Sequence, residues 1–408
     1  MSRLTLSLAA ILLASSPARA QHVSPHAREA VQSIRELRAI GLPDPKNLQN
    51  GPPPKVPNLL RQLNRELRAL VIDTLNDRSR RGVPREEEIT AQLRAAGWDD
   101  IPDHKWNAYG EIVDITLDWK LGYDPGILIV STQLWIPCGS SDPDAAIYIF
   151  QGRAREWELV LAADADFDSP GASQESGIQF ELSPPDANGK WFLAIAHAPP
   201  SCRLDSANLR YKLLRPGRSP DEPVTLLARR DLINRKFDPP FRIRSEEDWF
   251  ALTRGKQRKL DGESGVTISR YEISGQQVRR IHPLALTPED FLDEWVQLSW
   301  DEAARWSSES NQPDLQRWHS LLNSLEFDST ELKVVQSCPR QEYSDSAWMI
   351  ELWIDHQLNP SVEEEELYIQ LSRKNGIYYI DGIHKNRPAG CPGNTPLQVL
   401  KDWKLPGW

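Results

Sequence analysis

The chain has 408 residues, with 48 basic and 58 acidic side chains and a formal charge of −10. A net acidic surface repels phosphates, which argues against nucleic acid and anionic membrane surfaces as main partners. The length suggests two or three domains.

Residues 1–20, MSRLTLSLAAILLASSPARA, combine one early arginine, an apolar run from Leu4 to Ala14 and the small-residue ending Ala18, Arg19, Ala20. That is the build of a cleavable secretory signal, too short to span a bilayer permanently. The expected mature chain starts near Gln21 and works in the periplasm or outside the cell. Loss of Arg3 and Arg19 leaves 46 basic against 58 acidic side chains, a charge of −12. No second run of 18 apolar residues follows, so no transmembrane anchor is expected in the mature chain.

Residues 21–104 read as a helical region with a proline-rich loop. Ser24–Pro25 is an N-cap with a first-turn proline, and Val31, Ile34 and Leu37 keep helical spacing up to Gly41. After the loop, Leu60, Leu63, Leu67, Leu70 and Val71 form the apolar stripe of a second helix. A third spans about 84–96, with Glu86, Glu87 and Glu88 at the positive end of its dipole. Residues 22–82 hold 11 basic and 6 acidic side chains. A solvated helical surface explains that excess, and docking on the acidic body or on an anionic partner is the alternative.

Residues 105–283 read as an antiparallel β-rich domain. GEIVDITLDW, GILIVSTQLWI, AAIYIFQG and EWELVLAA are followed by IQFELS, GKWFLAIAHA, NLRYKLLRPG and VTLLARRDL. Cys138 precedes Tyr148 by ten residues and Cys202 precedes Tyr211 by nine, while Trp249 and Tyr271 hint at a third copy. Such a repeat would suit propeller-like blades. A plain antiparallel sandwich or irregular sheet is the simpler expectation, with a weakly repeated meander as the alternative.

Residues 284–408 read as a small α+β domain. Thr287–Pro288 starts one helix, Ser299 and Glu302 stand at capping-box spacing, and a third helix covers about 313–325. Four strands follow, with Asn375–Gly376 as the turn between the last two. The fold class expected is α+β and multidomain: a helical N-terminal region, an antiparallel middle and helices followed by a sheet.

Cys138, Cys202, Cys338 and Cys391 are an even set, which in an exported protein points to disulfides. Two lie in each half, favouring Cys138–Cys202 and Cys338–Cys391 among three pairings on paper. Each closure would contribute about 4 kcal/mol in the chain-entropy account. A four-thiolate metal site lacks any Cys-x-x-Cys spacing.

The sharpest local pattern is DADFDSPGASQE, with Asp164, Asp166, Asp168 and Glu175 at positions 1, 3, 5 and 12 of a loop. Alternating carboxylates closed by a glutamate resemble the EF-hand loop, making calcium the one candidate ion. Ser169 stands where that loop turns on glycine, and the flanks read as strands. A solvated acidic loop is the more economical reading.

Fifteen tryptophans mark the chain. Trp135, Trp157, Trp191, Trp348 and Trp353 fall in strand runs and Trp295 and Trp318 on helix stripes, so these read as core. Trp98, Trp106, Trp119, Trp403 and Trp408 are the candidates for exposure. No G-x-S-x-G elbow, H-E-x-x-H pair or phosphate-cradling glycine loop is present, and Gly262–Glu263–Ser264–Gly265 has the wrong spacing. His197 reads as structural. Asp355–His356 and Asp381 with His384 are the nearest to an acid–base cluster. The function expected is non-catalytic binding or scaffolding of an envelope protein or glycan. The alternative is a secreted hydrolase of envelope glycan or peptide whose carboxylates no motif singles out.

Overall fold

The computed structural model describes residues 23–40, 53–77, 85–101, 109–120, 122–123, 126–135, 145–153, 156–163, 178–197, 206–234, 241–260, 262, 264–285, 287–324, 330–338, 347–354, 365–374 and 377–386. The architecture is α+β: N-terminal helices, a central run of antiparallel strands, then helices and a final antiparallel sheet.

Helices α1 (Pro25–Ile40), α2 (Lys55–Asn76) and α3 (Glu86–Ala95) form where the apolar stripes predict them. Val31, Ile34 and Leu37 of α1 and the leucine stripe of α2 are fully buried. They share one core with Ile89 and Leu93 of α3 and with Leu128, Val130, Tyr148 and Phe150 of the first sheet. The N-terminal helices therefore pack on the body. The Tyr148 hydroxyl donates to the Asn64 carbonyl across this contact, at 3.3 Å.

The central strands make three four-stranded meanders. The first sheet holds β1 (Glu111–Lys120), β2 (Ile127–Trp135), β3 (Ala145–Arg153) and β4 (Glu156–Ala163). The second holds β5 (Ile178–Leu182), β6 (Leu193–His197), β7 (Ser206–Arg215) and β8 (Val224–Asn234). The third holds β9 (Phe241–Ser245), β10 (Trp249–Gln257), β11 (Ser264–Ser274) and β12 (Gln277–Ala285). Within each sheet neighbours in sequence are neighbours in space, all antiparallel.

These sheets stack face to face in chain order. Period-two alternation decides which side chain enters which layer. Phe192, Ala194 and Ala196 face the third sheet, whereas Leu193 and Ile195 face the first. Likewise Ile147 and Ile149 meet the second sheet while Ala146, Tyr148 and Phe150 meet the helices. The simple sandwich expected from the sequence gives way to serial layers for this reason. Strands apolar on both faces would leave one face wet in a two-layer sandwich.

The four-strand repeat is real in the backbone, but the tyrosine matches are not equivalences. Tyr148, Tyr211 and Tyr271 each lie on a third strand, yet Tyr148 faces the helices. Tyr211 and Tyr271 face each other between the second and third sheets, with hydroxyls 2.8 Å apart. Tyr211 also donates to Asp231, which pairs with Arg254 at 3.1 Å.

After β12 the chain forms α4 (Pro288–Gln297), α5 (Trp300–Ala303) and α6 (Gln312–Ser324). Thr287 Oγ1 caps α4 by accepting from the Asp290 N–H at 3.2 Å. Ser299 stands at the N-cap of α5 as the spacing predicts, but the capping box does not form: its Oγ makes no bond to the helix backbone and instead donates to Glu302 Oε2 at 3.2 Å. The fourth sheet is β13 (Thr330–Cys338), β14 (Ala347–Ile354), β15 (Glu365–Lys374) and β16 (Ile377–His384). Lys374 pairs with Ile377, so the predicted Asn375–Gly376 connection joins adjacent ends. Phe291, Leu292, Trp295 and Val296 of α4 pack with α6 and this sheet.

The remaining side of α4 carries Asp290, Asp293 and Glu294, all buried. Asp293 is bound by Lys256 Nζ and accepts from the backbone N–H groups of Lys259 and Leu260. Asp290 accepts from the Val266 N–H at 3.2 Å, with Arg258 at 3.5 Å, and Glu294 meets Arg280. A Cβ on Gly265 would lie 2.2 Å from Asp290 Oδ1, so glycine is required for that approach. No helix among the described residues is long and apolar enough to cross a membrane.

Candidate functional site

The cleft that stands out lies where hairpins of the three stacked sheets meet, with a volume of about 610 Å³. One wall is the β7–β8 connection, Pro-Gly-Arg-Ser-Pro-Asp-Glu-Pro from Pro216 to Pro223. Three prolines stiffen it, and a Cβ on Gly217 would sit 1.8 Å from the Glu222 carbonyl oxygen. Only glycine lets the two arms of this loop pass so closely.

The loop leaves the second sheet and docks on its neighbours. The Pro220 carbonyl accepts from the Ala162 N–H of β4 at 2.9 Å, and Asp221 pairs with Arg68 of α2. Arg215, at the root of the loop, donates from Nη1 to the Gly275 carbonyl in the β11–β12 turn. Three layers and α2 are thereby tied to one wall. In the β5–β6 connection, whose Gly189 and Lys190 also line the cleft, Asp186 accepts from the Asn188 and Lys190 N–H groups, both at 2.8 Å. The Lys190 N–H is the main reason that the Asp186 carboxyl titrates below its ordinary value.

The lining mixes apolar and cationic groups. Val160 and Leu226 are half-buried, and Val224, at 38% exposure, is the one exposed large apolar side chain among the described residues. Lys190 and Arg218 are exposed and Arg215 half-buried, with Glu158 as the one carboxylate among the described lining residues. That chemistry suits binding.

The carboxyl groups whose pKa is raised lie elsewhere. Burial raises Glu181 above its ordinary value, against a lowering by the Ser245 N–H. Tyr123 nearby is pushed up to about 12, by burial first and then by Glu181, and donates to the Ser183 carbonyl at 2.8 Å. Asp290 is raised by burial, against the Val266 N–H and Arg258; Lys256 is lowered by burial, against Asp293. The Asp290–Lys256 group sits inside the joint to α4 and is architectural.

The residues singled out from sequence fall apart in space. Asp164, Asp166, Asp168 and Glu175 lie outside the described residues, as do Cys138, Cys202 and Cys391. Cys338 ends β13 opposite Ala347. Among the described residues, no three His, Cys, Asp or Glu side chains converge as a metal site. Trp98 and Trp119, expected at the surface, instead pack half-buried against the helix–sheet core. Trp119 meets Trp157 edge-on, with centroids 5.0 Å apart, because the ends of β1 and β4 turn these rings toward α2 and α3. Trp106, Trp403 and Trp408 lie outside the described residues.

His197 is buried at the end of β6. Asp381 accepts from Ser372 Oγ at 3.0 Å and its carbonyl from Asn311, a structural role, while His384 is exposed. Asp355–His356 lie outside the described residues. Sequence reasoning missed the cleft itself. Its one readable sign was the eight-residue PGRSPDEP connection in a chain whose β11–β12 hairpin turns in two residues.

No protein-family model matches this sequence, and no curated protein matches it. Among solved structures, the chain superposes on an α-L-arabinofuranosidase mutant from Fusarium graminearum in complex with an iminosugar inhibitor. The identity is 8%, with 67% of this chain and 71% of that one covered, and the TM-score is 0.26. A superposition that loose bears on neither fold nor chemistry.

Proposed function

We propose that this chain is an exported, non-catalytic binding or scaffolding protein of the cell envelope, with the hairpin cleft as its ligand seat. The observation that carries the reading is the framed cleft: a braced wall, an exposed Val224 and a single carboxylate in the lining. Concave sites with an apolar floor and a few fixed polar groups are where ligands bind. Export rests on residues 1–20 and is read by intact mass, which should show cleavage after Ala20.

Binding is tested by screening arrayed envelope glycans and peptides with the wild type and with Val224→Asp. Loss of a wild-type signal in the variant, with an unchanged thermal midpoint, supports the cleft. Signals that survive Val224→Asp overturn it. Release of new reducing ends or peptide termini from a bound ligand would favour the hydrolase instead.

A further inference from the structure

We infer that the cleft takes a uronate oligomer, a sugar chain carrying carboxylates, an assignment that rests on the cleft being the ligand seat. Three cationic side chains, Lys190, Arg215 and Arg218, face one carboxylate, Glu158, in a chain whose overall charge is −10. Among the lining residues the excess is opposite in sign to the molecule, while Asp186 of the β5–β6 connection lies near enough to Arg215 and Lys190 to be held down by both. Arginine presents a planar fork that matches a carboxylate with two hydrogen bonds. Arg215 is anchored through Nη1 to the Gly275 carbonyl, so its guanidinium is held in place before any ligand arrives.

The remaining lining fits a sugar better than a peptide. Gln151 and Gln276 supply amides that both donate and accept, the requirement of neighbouring hydroxyls, and Val224 and Leu226 offer a small apolar face. An acidic peptide would gain most by adding a strand to the free edge of β4. That edge is already occupied. The Asn76 side-chain amide bonds both the N–H and the carbonyl of Trp157, at 2.7 and 3.0 Å, and Pro220 takes the Ala162 N–H at 2.9 Å. Covering an edge in this way is how sheets block strand addition.

The test is calorimetric titration of the full mature protein with tetragalacturonate and with its methyl ester, which has the same ring chemistry without the charges. The acid form should bind at least about tenfold more tightly, and raising the salt should narrow the gap. Lys190→Glu combined with Arg218→Glu should weaken the acid form by at least about tenfold. Both side chains are exposed, so this variant should keep the wild-type thermal midpoint. Equal affinity for acid and ester, indifference to the charge reversal, or no binding of the acid form each overturns the assignment. Ester or peptide binding lost in Val224→Asp would then leave the cleft as a seat for another ligand. Binding indifferent to Val224→Asp would remove both readings.

Discussion

Two joints in this molecule are built on opposite principles. Between the first and second sheets the contact is aliphatic: Ile127, Ile129, Ile147, Ile149 and Leu161 against Leu193, Ile195 and Leu214. Between the third sheet and α4 it is ionic: Lys256 with Asp293, Arg258 with Asp290 and Arg280 with Glu294. The first gains from every apolar atom removed from water and is indifferent to direction. The second roughly cancels its attraction against desolvation, but punishes the loss of either partner and accepts one arrangement. The comparison teaches that stability and specificity are supplied in different places along one chain.

The contrast can be broken most sharply at Asp293. Asp293→Ala leaves Lys256 buried without its partner and uncaps the Lys259 and Leu260 N–H groups, and should cost about 3–5 kcal/mol in urea unfolding. Replacing both partners, Lys256→Met with Asp293→Leu, should restore stability to near the wild type or above it. A double variant as unstable as the single would show that the joint is a net source of stability.

In the aliphatic joint, Ile195→Ala should cost about 2–4 kcal/mol through lost transfer and an unfilled cavity, with no dependence on salt. A salt-dependent loss would contradict a dry interface. The contact between the second and third sheets is intermediate in kind. Burial, aided by Tyr271 and the Asp231 charge, holds the Tyr211 hydroxyl far above its usual range, so it stays protonated and donates to Asp231. Tyr211→Phe should cost about 1–2 kcal/mol, and Asp231→Asn should remove most of the difference between Tyr and Phe there.

The smallest effect is expected at Glu181. Its folded value is raised, so its stabilising share is full below the unfolded value of 4.5 and is lost as pH rises through the folded value. Glu181→Gln should therefore melt slightly above the wild type at neutral pH, with the gap closing as pH falls toward 4.5. A gap that widens on acidification would reverse the sign and the account of this carboxyl.

Much of the fold was legible in the sequence because helical and strand periodicities are local. The α2 leucines and the Thr287–Pro288 start are each read within a few residues. Runs such as AIYIF marked strands, but that layers would cover both of their faces emerged only from the packing. The tyrosine matches misled because a shared strand position says nothing about which face a side chain takes. Nothing local marks the α4 acids as buried, since their partners Lys256, Arg258 and Arg280 come from the hairpins of the third sheet. The cleft was hidden for the same reason: Gln151, Lys190, Arg218 and Gln276 belong to four separate connections or strands.

The packing of α1–α3 over the outer face of the first sheet has a consequence for assembly. A pile of sheets apolar on both sides can accept another layer at its open end, and a second molecule offers one. The helices occupy that position with their own leucines and present a polar exterior, as terminal caps do in repeat proteins. They act as a chain terminator. That face of the first sheet is thereby closed to a further layer.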